Sequence, residues 1–287
     1  MRAVKLVLLT VALAAAASAW PSAQTQKVWT VDDLFRRNIG TREDQDTPFT
    51  PHKILGNLYY VGTRTLGSFL ITTPQGHILI NSDYERNVPA VRQSIEALGF
   101  KYTDIKILLG SHAHADHMEG DALVKELTGA TVMAMAEDVP ALEAMMPGGK
   151  RHPIDKVLHD GDTVTLGGVT LVAHLTAGHT RGATTFTMKA QDGGKPYDVV
   201  LFSSLRAGGT ITPAIAAEFT RTFPAVRALP CDVPLGDHPA EYGMQAKYAK
   251  VAASGPNPFI DKPNCFAEVD IQQAMYRAVL AEQGQKP

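Results

Sequence analysis

From Ile54 onward, short apolar runs bounded by Gly, Pro or Asn alternate with stretches whose apolar residues recur at helical spacing. Residues 58–62 form one candidate strand, and residues 68–73 and 77–81 form a hairpin across Pro74-Gln75-Gly76. Over residues 87–98, Val88, Val91, Ile95 and Leu98 define one helical face, which stops at Gly99. Ile105–Leu109 is a short buried strand. A helix over 119–127, a strand over 130–134 and a helix over 139–145 follow. Further strands are predicted over 156–158, 162–166, 169–175, 184–189 and 198–202, and helices over 219–229, 242–253 and 271–282. Hairpins come first and then alternate with helices, twice over. That order predicts two sheets packed face to face with helices outside. No stretch has linker character, so residues 20–287 read as a single domain. Residues 20–51 are polar and mixed and read as an extended arm, and Arg42-Glu43-Asp44-Gln45-Asp46 as a solvated face.

Residues 1–19 interrupt this pattern. Arg2 and Lys5 precede an apolar run that closes on Ala17-Ser18-Ala19, the small-x-small pattern of a cleaved secretory signal. The alternative is an uncleaved anchor, but the run is shorter than the ~20 residues a spanning helix needs. The expected product is periplasmic or secreted, with no membrane association after cleavage. Composition then narrows the class. With 45% hydrophobic and 20% charged residues, the chain is neither collagen-like, coiled-coil nor wholly disordered. A net charge of −2 argues against a dedicated nucleic-acid binder. Two cysteines cannot make a disulfide framework. Export would allow Cys231 and Cys265 to pair, and two free buried thiols are the alternative.

The ten histidines are unevenly spaced. Ser111-His112-Ala113-His114-Ala115-Asp116-His117 places three imidazoles and a carboxylate directly after the Ile105–Leu109 strand. In extended chain His112 and His114 point the same way and can converge on one ion. Asp116 and His117 lie where the chain turns toward a helix and can diverge to a second. Neutral imidazoles with a carboxylate suit zinc. A loosely binding surface loop is the bland alternative. Strand-end positions favour a built site. His179, in Thr176-Ala177-Gly178-His179-Thr180, and His238, in Leu235-Gly236-Asp237-His238-Pro239, follow apolar segments and supply the remaining candidates. His52, His77, His152, His159 and His174 stand alone and read as surface or structural residues.

These segments resemble the metallo-β-lactamase superfamily, and specifically the third subclass of zinc β-lactamases. The resemblance runs from about Pro51 to the C-terminal helix and rests on residues 111–120, 173–185 and 226–238. It implies an α/β fold, a four-layer αββα sandwich of two mixed sheets with helices outside. It implies two zinc ions, one held by His112, His114 and His179, the other by Asp116, His117 and His238. Asp116 would also orient the attacking oxygen. The family's disulfide falls on Cys231 and Cys265. The implied reaction is hydrolysis of the β-lactam amide of carbapenems, cephalosporins or penicillins by a zinc-bound hydroxide. The implied partner is a small β-lactam, and the implied state a monomer.

One position separates this subclass from its relatives. Thioesterases and lactonases of the superfamily carry a bridging Asp after the strand at 198–202, whereas Ser203-Ser204-Leu205 stands here. The third subclass likewise lacks that carboxylate. Other positions depart from the usual pattern. Asn81 replaces an Asp that commonly supports a ligand, Arg181 replaces a Pro, and Arg206 stands where a serine contacts the substrate. Ser204 or Arg206 would anchor the substrate carboxylate, and Arg is suited to bidentate contact. A dinuclear zinc hydrolase of a lactone or thioester is the alternative enzyme. A non-catalytic zinc-binding or partner-binding protein is the alternative class.

Overall fold

The computed structural model describes residues 29–208, 210–251 and 255–284, and the signal segment lies outside them. Seven strands form the first sheet in sequence order: β1 (His52–Leu55), β2 (Leu58–Tyr60), β3 (Phe69–Thr73), β4 (Gly76–Ile80), β5 (Ile105–Leu109), β6 (Thr131–Met135) and β7 (Lys156–Leu158). The first four pair antiparallel and the rest run parallel. The second sheet has the order β12-β11-β10-β9-β8, from β8 (Thr163–Leu166), β9 (Val169–Leu175), β10 (Thr184–Asp192), β11 (Lys195–Phe202) and β12 (Val233–Gly236). Its β11–β12 pair is parallel and the others antiparallel, so both sheets are mixed.

Strand periodicity explains the layers. Side chains alternate across a sheet. Phe69, Ile71, Ile78, Ile80, Ile107 and Leu109 therefore face Leu171, Phe186, Val199 and Leu201 of the second sheet in one central core. Their neighbours Leu70, Leu79 and Leu108 face outward instead, onto helices Val88–Ala97 and Asp121–Thr128. On the other side, Val200 and Phe202 meet helices Pro213–Arg227 and Ala267–Glu282. A fully buried Leu or Phe contributes about 1.5–3 kcal/mol. A one-residue register slip would exchange the two apolar sets of a strand, so register is strongly specified. The result is two sheets face to face with helices outside, as the element order predicts, which is the αββα sandwich that the resemblance implies.

The structure alters several details. Residues 29–51 are not an extended arm but hold helices Val31–Ile39 and Arg42–Asp46. Each starts with a reciprocal cap, Thr30 with Asp33 and Thr41 with Asp44, which satisfies two otherwise unpaired backbone donors. The helix predicted over 119–127 runs from Asp121 to Thr128, and a separate short helix, Ala115–Met118, precedes it. Cys231 and Cys265 are disulfide-bonded, tying the chain before β12 to the start of the C-terminal helix. Among the described residues no helix is long and apolar enough to cross a membrane.

Candidate metal centre

The candidate residues gather where strands from both sheets end. The β5 strand delivers His112 and His114, and the short helix Ala115–Met118 turns Asp116 and His117 toward the same space. His179 follows β9, Ser204 and Arg206 follow β11, and His238 follows β12. His112, His114 and His179 can bring one ligand atom each to within 4.8 Å of one another, and so can Asp116, His117 and His238. The ring centroids of the first group are 4.7–4.8 Å apart. His117 bridges the groups, with ring centroids 4.3 Å from His112 and 5.0 Å from His238.

The outer nitrogens of three rings are already engaged. His112 Nδ1 lies 3.1 Å from Asp237 Oδ2, His179 Nδ1 is 2.8 Å from the Arg206 carbonyl, and His238 Nδ1 is 2.9 Å from the Thr65 carbonyl. These contacts fix each ring and leave its Nε2 for the interior. The Nε2 atoms of His112 and His117 are buried without a hydrogen-bond partner. Burying a polar atom unpaired is costly, and a metal ion accounts for both orphans. The donor set also fits zinc: imidazoles and carboxylates in groups of three, with His112, His117 and Asp237 forming a third, fully buried group that shares its rings with the other two.

Electrostatics prepare the rings for a metal. Burial, reinforced by neighbouring imidazoles, pushes the pKa of His112 and His179 well below the usual histidine range. His114 is lowered, chiefly by burial. Burial and the His117 ring push His238 down to about 4. Burial opposes ionisation of Asp116, but His117, His238, His112 and His114 outweigh it and hold the carboxyl far below its ordinary range. His112, His114, His179 and His238 are therefore neutral and Asp116 charged at neutral pH, as metal ligation requires.

The groups open onto a cleft of about 180 Å³ in which His114, Asp116, His179 and His238 face Ser204 and Arg206. Its other wall is Phe35, Asn38 and Ile39 from the N-terminal helix, residues that the sequence reading missed. Phe35 is 44% exposed and lies 5.2 Å from the Arg206 guanidinium, in cation–π range. Arg37 pairs with Glu268, and Asn38 donates to Glu241, clamping this helix to the body of the fold. The repeated Thr-x-x-Asp at 30–33 and 41–44 was the available sequence signal.

Asn81 lies behind the cleft rather than in it. Its amide nitrogen donates to the Gly67 carbonyl (3.1 Å) and Asp237 Oδ1 (3.3 Å) and sits 3.4 Å from His117 Nδ1; its oxygen accepts the Ser111 N–H (2.9 Å). Asn81 and Asp83 both adopt left-handed backbone, with φ of 62° and 59°, a conformation short polar residues tolerate. Asp83 is fully buried, and that burial raises its pKa to about 7. His152 is buried behind the Ala115–Met118 helix, and His159 is exposed at the surface.

A family model described as the metallo-β-lactamase superfamily matches residues 67–192. The FEZ-1 metallo-β-lactamase of Legionella gormanii is 41% identical, with a TM-score of 0.79 over 83% of this chain and 98% of that one. The chain belongs to the metallo-β-lactamase superfamily. BJP-1, a subclass B3 metallo-β-lactamase of Bradyrhizobium japonicum, is 35% identical, with a TM-score of 0.78 over 84% of this chain and 97% of its own. The chain also matches curated relatives over a shorter stretch. A hydroxyacylglutathione hydrolase of Chelativorans sp. (strain BNC1) is 32% identical over 97 residues. That match spans about a third of the curated relative's length. This superfamily member is thus a hydrolase of a metal-dependent family that acts on small molecules, with subclass B3 enzymes among its structural neighbours.

Proposed function

We propose that this chain is a zinc-dependent β-lactamase, exported by removal of residues 1–19 and acting as a periplasmic or secreted monomer formed by residues 20–287. The observation that carries the reading is the pair of three-residue groups that open onto one cleft through His114, His179, Asp116 and His238, with Ser204 where thioesterase relatives place a bridging carboxylate. His112, His114 and His179 would hold one zinc ion, and Asp116, His117 and His238 a second. Zinc in such a site supplies Lewis acidity and lowers the pKa of water toward about 7.

The chain's own residues do the rest. Asp116, a carboxylate at neutral pH, accepts a hydrogen bond from the attacking water and fixes its approach. The Arg206 guanidinium faces the cleft and can hold the carboxylate common to β-lactams. The Ser204 N–H is tied to Asp237 at 2.8 Å, which positions the Ser204 side chain at the cleft wall. The Phe35 ring lies against the Arg206 guanidinium in cation–π range. Water adds to the lactam carbonyl carbon, the C–N bond breaks, and the nitrogen takes up a proton.

Thioester hydrolysis is a second reading, favoured by the hydroxyacylglutathione hydrolase relatives. Against it stand their partial coverage and the serines after β11. A hydrolysis panel separates the two. Purified protein is assayed on a carbapenem, a cephalosporin, a lactone and a glutathione thioester, each with and without a chelator. Chelator-sensitive β-lactam turnover is expected, at least 100-fold faster than turnover of the other two classes. Metal-loaded protein that opens the lactone or thioester and leaves both β-lactams intact would refute the proposal.

A further inference from the structure

We propose that Asp237 is the positioning residue for His112, supplying the charge that Asn81 lacks. The inference rests on the zinc site proposed above. Three oxygens surround His112 Nδ1: Asp237 Oδ2 at 3.1 Å, Ser111 Oγ at 3.3 Å and Ser203 Oγ at 3.4 Å. Asp237 is the nearest of them and the only carboxylate. An imidazole N–H directed at a carboxylate presents a fixed and more basic Nε2 on its other side. That Nε2 is the buried orphan facing the centre.

The carboxylate is itself held from two further directions. Oδ2 also accepts the Ser204 N–H at 2.8 Å, and Oδ1 accepts the Asn81 amide at 3.3 Å. The ring between them connects the ends of β4, β5, β11 and β12. A neutral Asn81 is what allows this. A carboxylate at 81 would lie against Asp237 in a buried site, where like charges repel strongly. The Asn81 amide instead donates to Asp237 and accepts from Ser111, so one buried charge serves the network. Asp237 directly precedes His238, so one turn after β12 provides a candidate ligand and the support of another.

The test is zinc affinity of the metal-free full-length protein, by competition with a fluorescent chelator, in wild type, Asp237→Asn and Asp237→Ala. Asp237→Asn keeps the shape and, with its oxygen toward His112 and Ser204, the contact to the ring; it removes the charge and the hydrogen bond accepted from Asn81. Both variants are expected to bind the first zinc 10–100-fold more weakly, while the thermal midpoint of metal-free Asp237→Asn falls less than that of Asp237→Ala. Wild-type zinc affinity in Asp237→Asn overturns the inference, because a purely structural role predicts loss in the alanine variant alone. A second measurement uses the unaltered chain and does not depend on variant folding. In zinc-loaded, histidine-labelled protein, NMR should find the His112 proton on Nδ1 and strongly downfield. A His112 proton on Nε2 overturns the inference. Wild-type protein that takes up no zinc removes both this inference and the proposed function. Normal uptake with an indifferent Asp237→Asn removes this one alone.

Discussion

An imidazole can serve a metal only if it is neutral and held still, and each property has a separate cause here. Burial keeps His112, His179 and His238 unprotonated, while Asp237 and the Arg206 and Thr65 carbonyls fix their rings. His152 shows the opposite balance. Its Nε2 lies 3.2 Å from Asp121 Oδ2, although its N–H points more directly at the Met118 carbonyl, 3.1 Å away. Asp121 in turn accepts from Ser82 at 2.6 Å. Burial disfavours the charged ring, but Asp121 and the Met118 and Pro153 carbonyls outweigh it and raise the pKa. A histidine raised above its unfolded value stabilises the fold below about pH 6.5, and that contribution is lost as pH rises through the folded value. His152→Gln is therefore expected to cost about 3 kcal/mol at pH 6 and clearly less at pH 9, read from urea unfolding. Equal losses at the two pH values would exclude the ion pair. The ligand candidates were legible in the sequence because His-x-His-x-Asp-His is dense and local. Asp237 was not, since its partner His112 is 125 residues away and nothing local to residue 237 marks it. Asn81 drew attention only through the resemblance, and its true contacts depend on where β12 ends.

At the scale of elements, loops at strand ends decide where ligands point. Gly178, with φ of 138°, lets the chain leave β9 and present His179. A Cβ there would meet the buried Phe219 ring at 2.7 Å. Gly178→Ala is expected to cost about 1–3 kcal/mol and to weaken zinc binding, because relief of the clash moves His179. Unchanged thermal midpoint and unchanged zinc affinity would contradict that coupling. The hairpin of β3 and β4 and the helix after it were legible because their apolar residues keep a clean period of two or 3.6. The N-terminal helix was not. Its mean character is polar, and it is held by caps, by Arg37–Glu268 and by Asn38–Glu241, contacts that only the tertiary fold creates. Helix Pro213–Arg227 starts six residues before the apolar signal at Phe219, at a proline suited to a first turn.

For the molecule as a whole, two sheets share one core, and the candidate centre sits at the rim where both sheets end. Seven strands and five strands, each partly parallel, set four chain segments side by side there. The Cys231–Cys265 bridge closes a 34-residue loop around β12 and its following turns. A loop of that length restrains the unfolded chain by about 4 kcal/mol in the entropy model, and it secures the segment bearing Asp237 and His238. The layer order was legible from element order alone, while the pairing of β11 with β12 was not, because β12 is only four residues long. The most direct measurement of the proposed function is carbapenem turnover by metal-free full-length protein as zinc is added back in measured equivalents. The expected result is negligible turnover without metal and a rise that saturates near two equivalents of zinc. Turnover that is full in the metal-free protein, or absent with two zinc ions bound, would contradict a zinc β-lactamase.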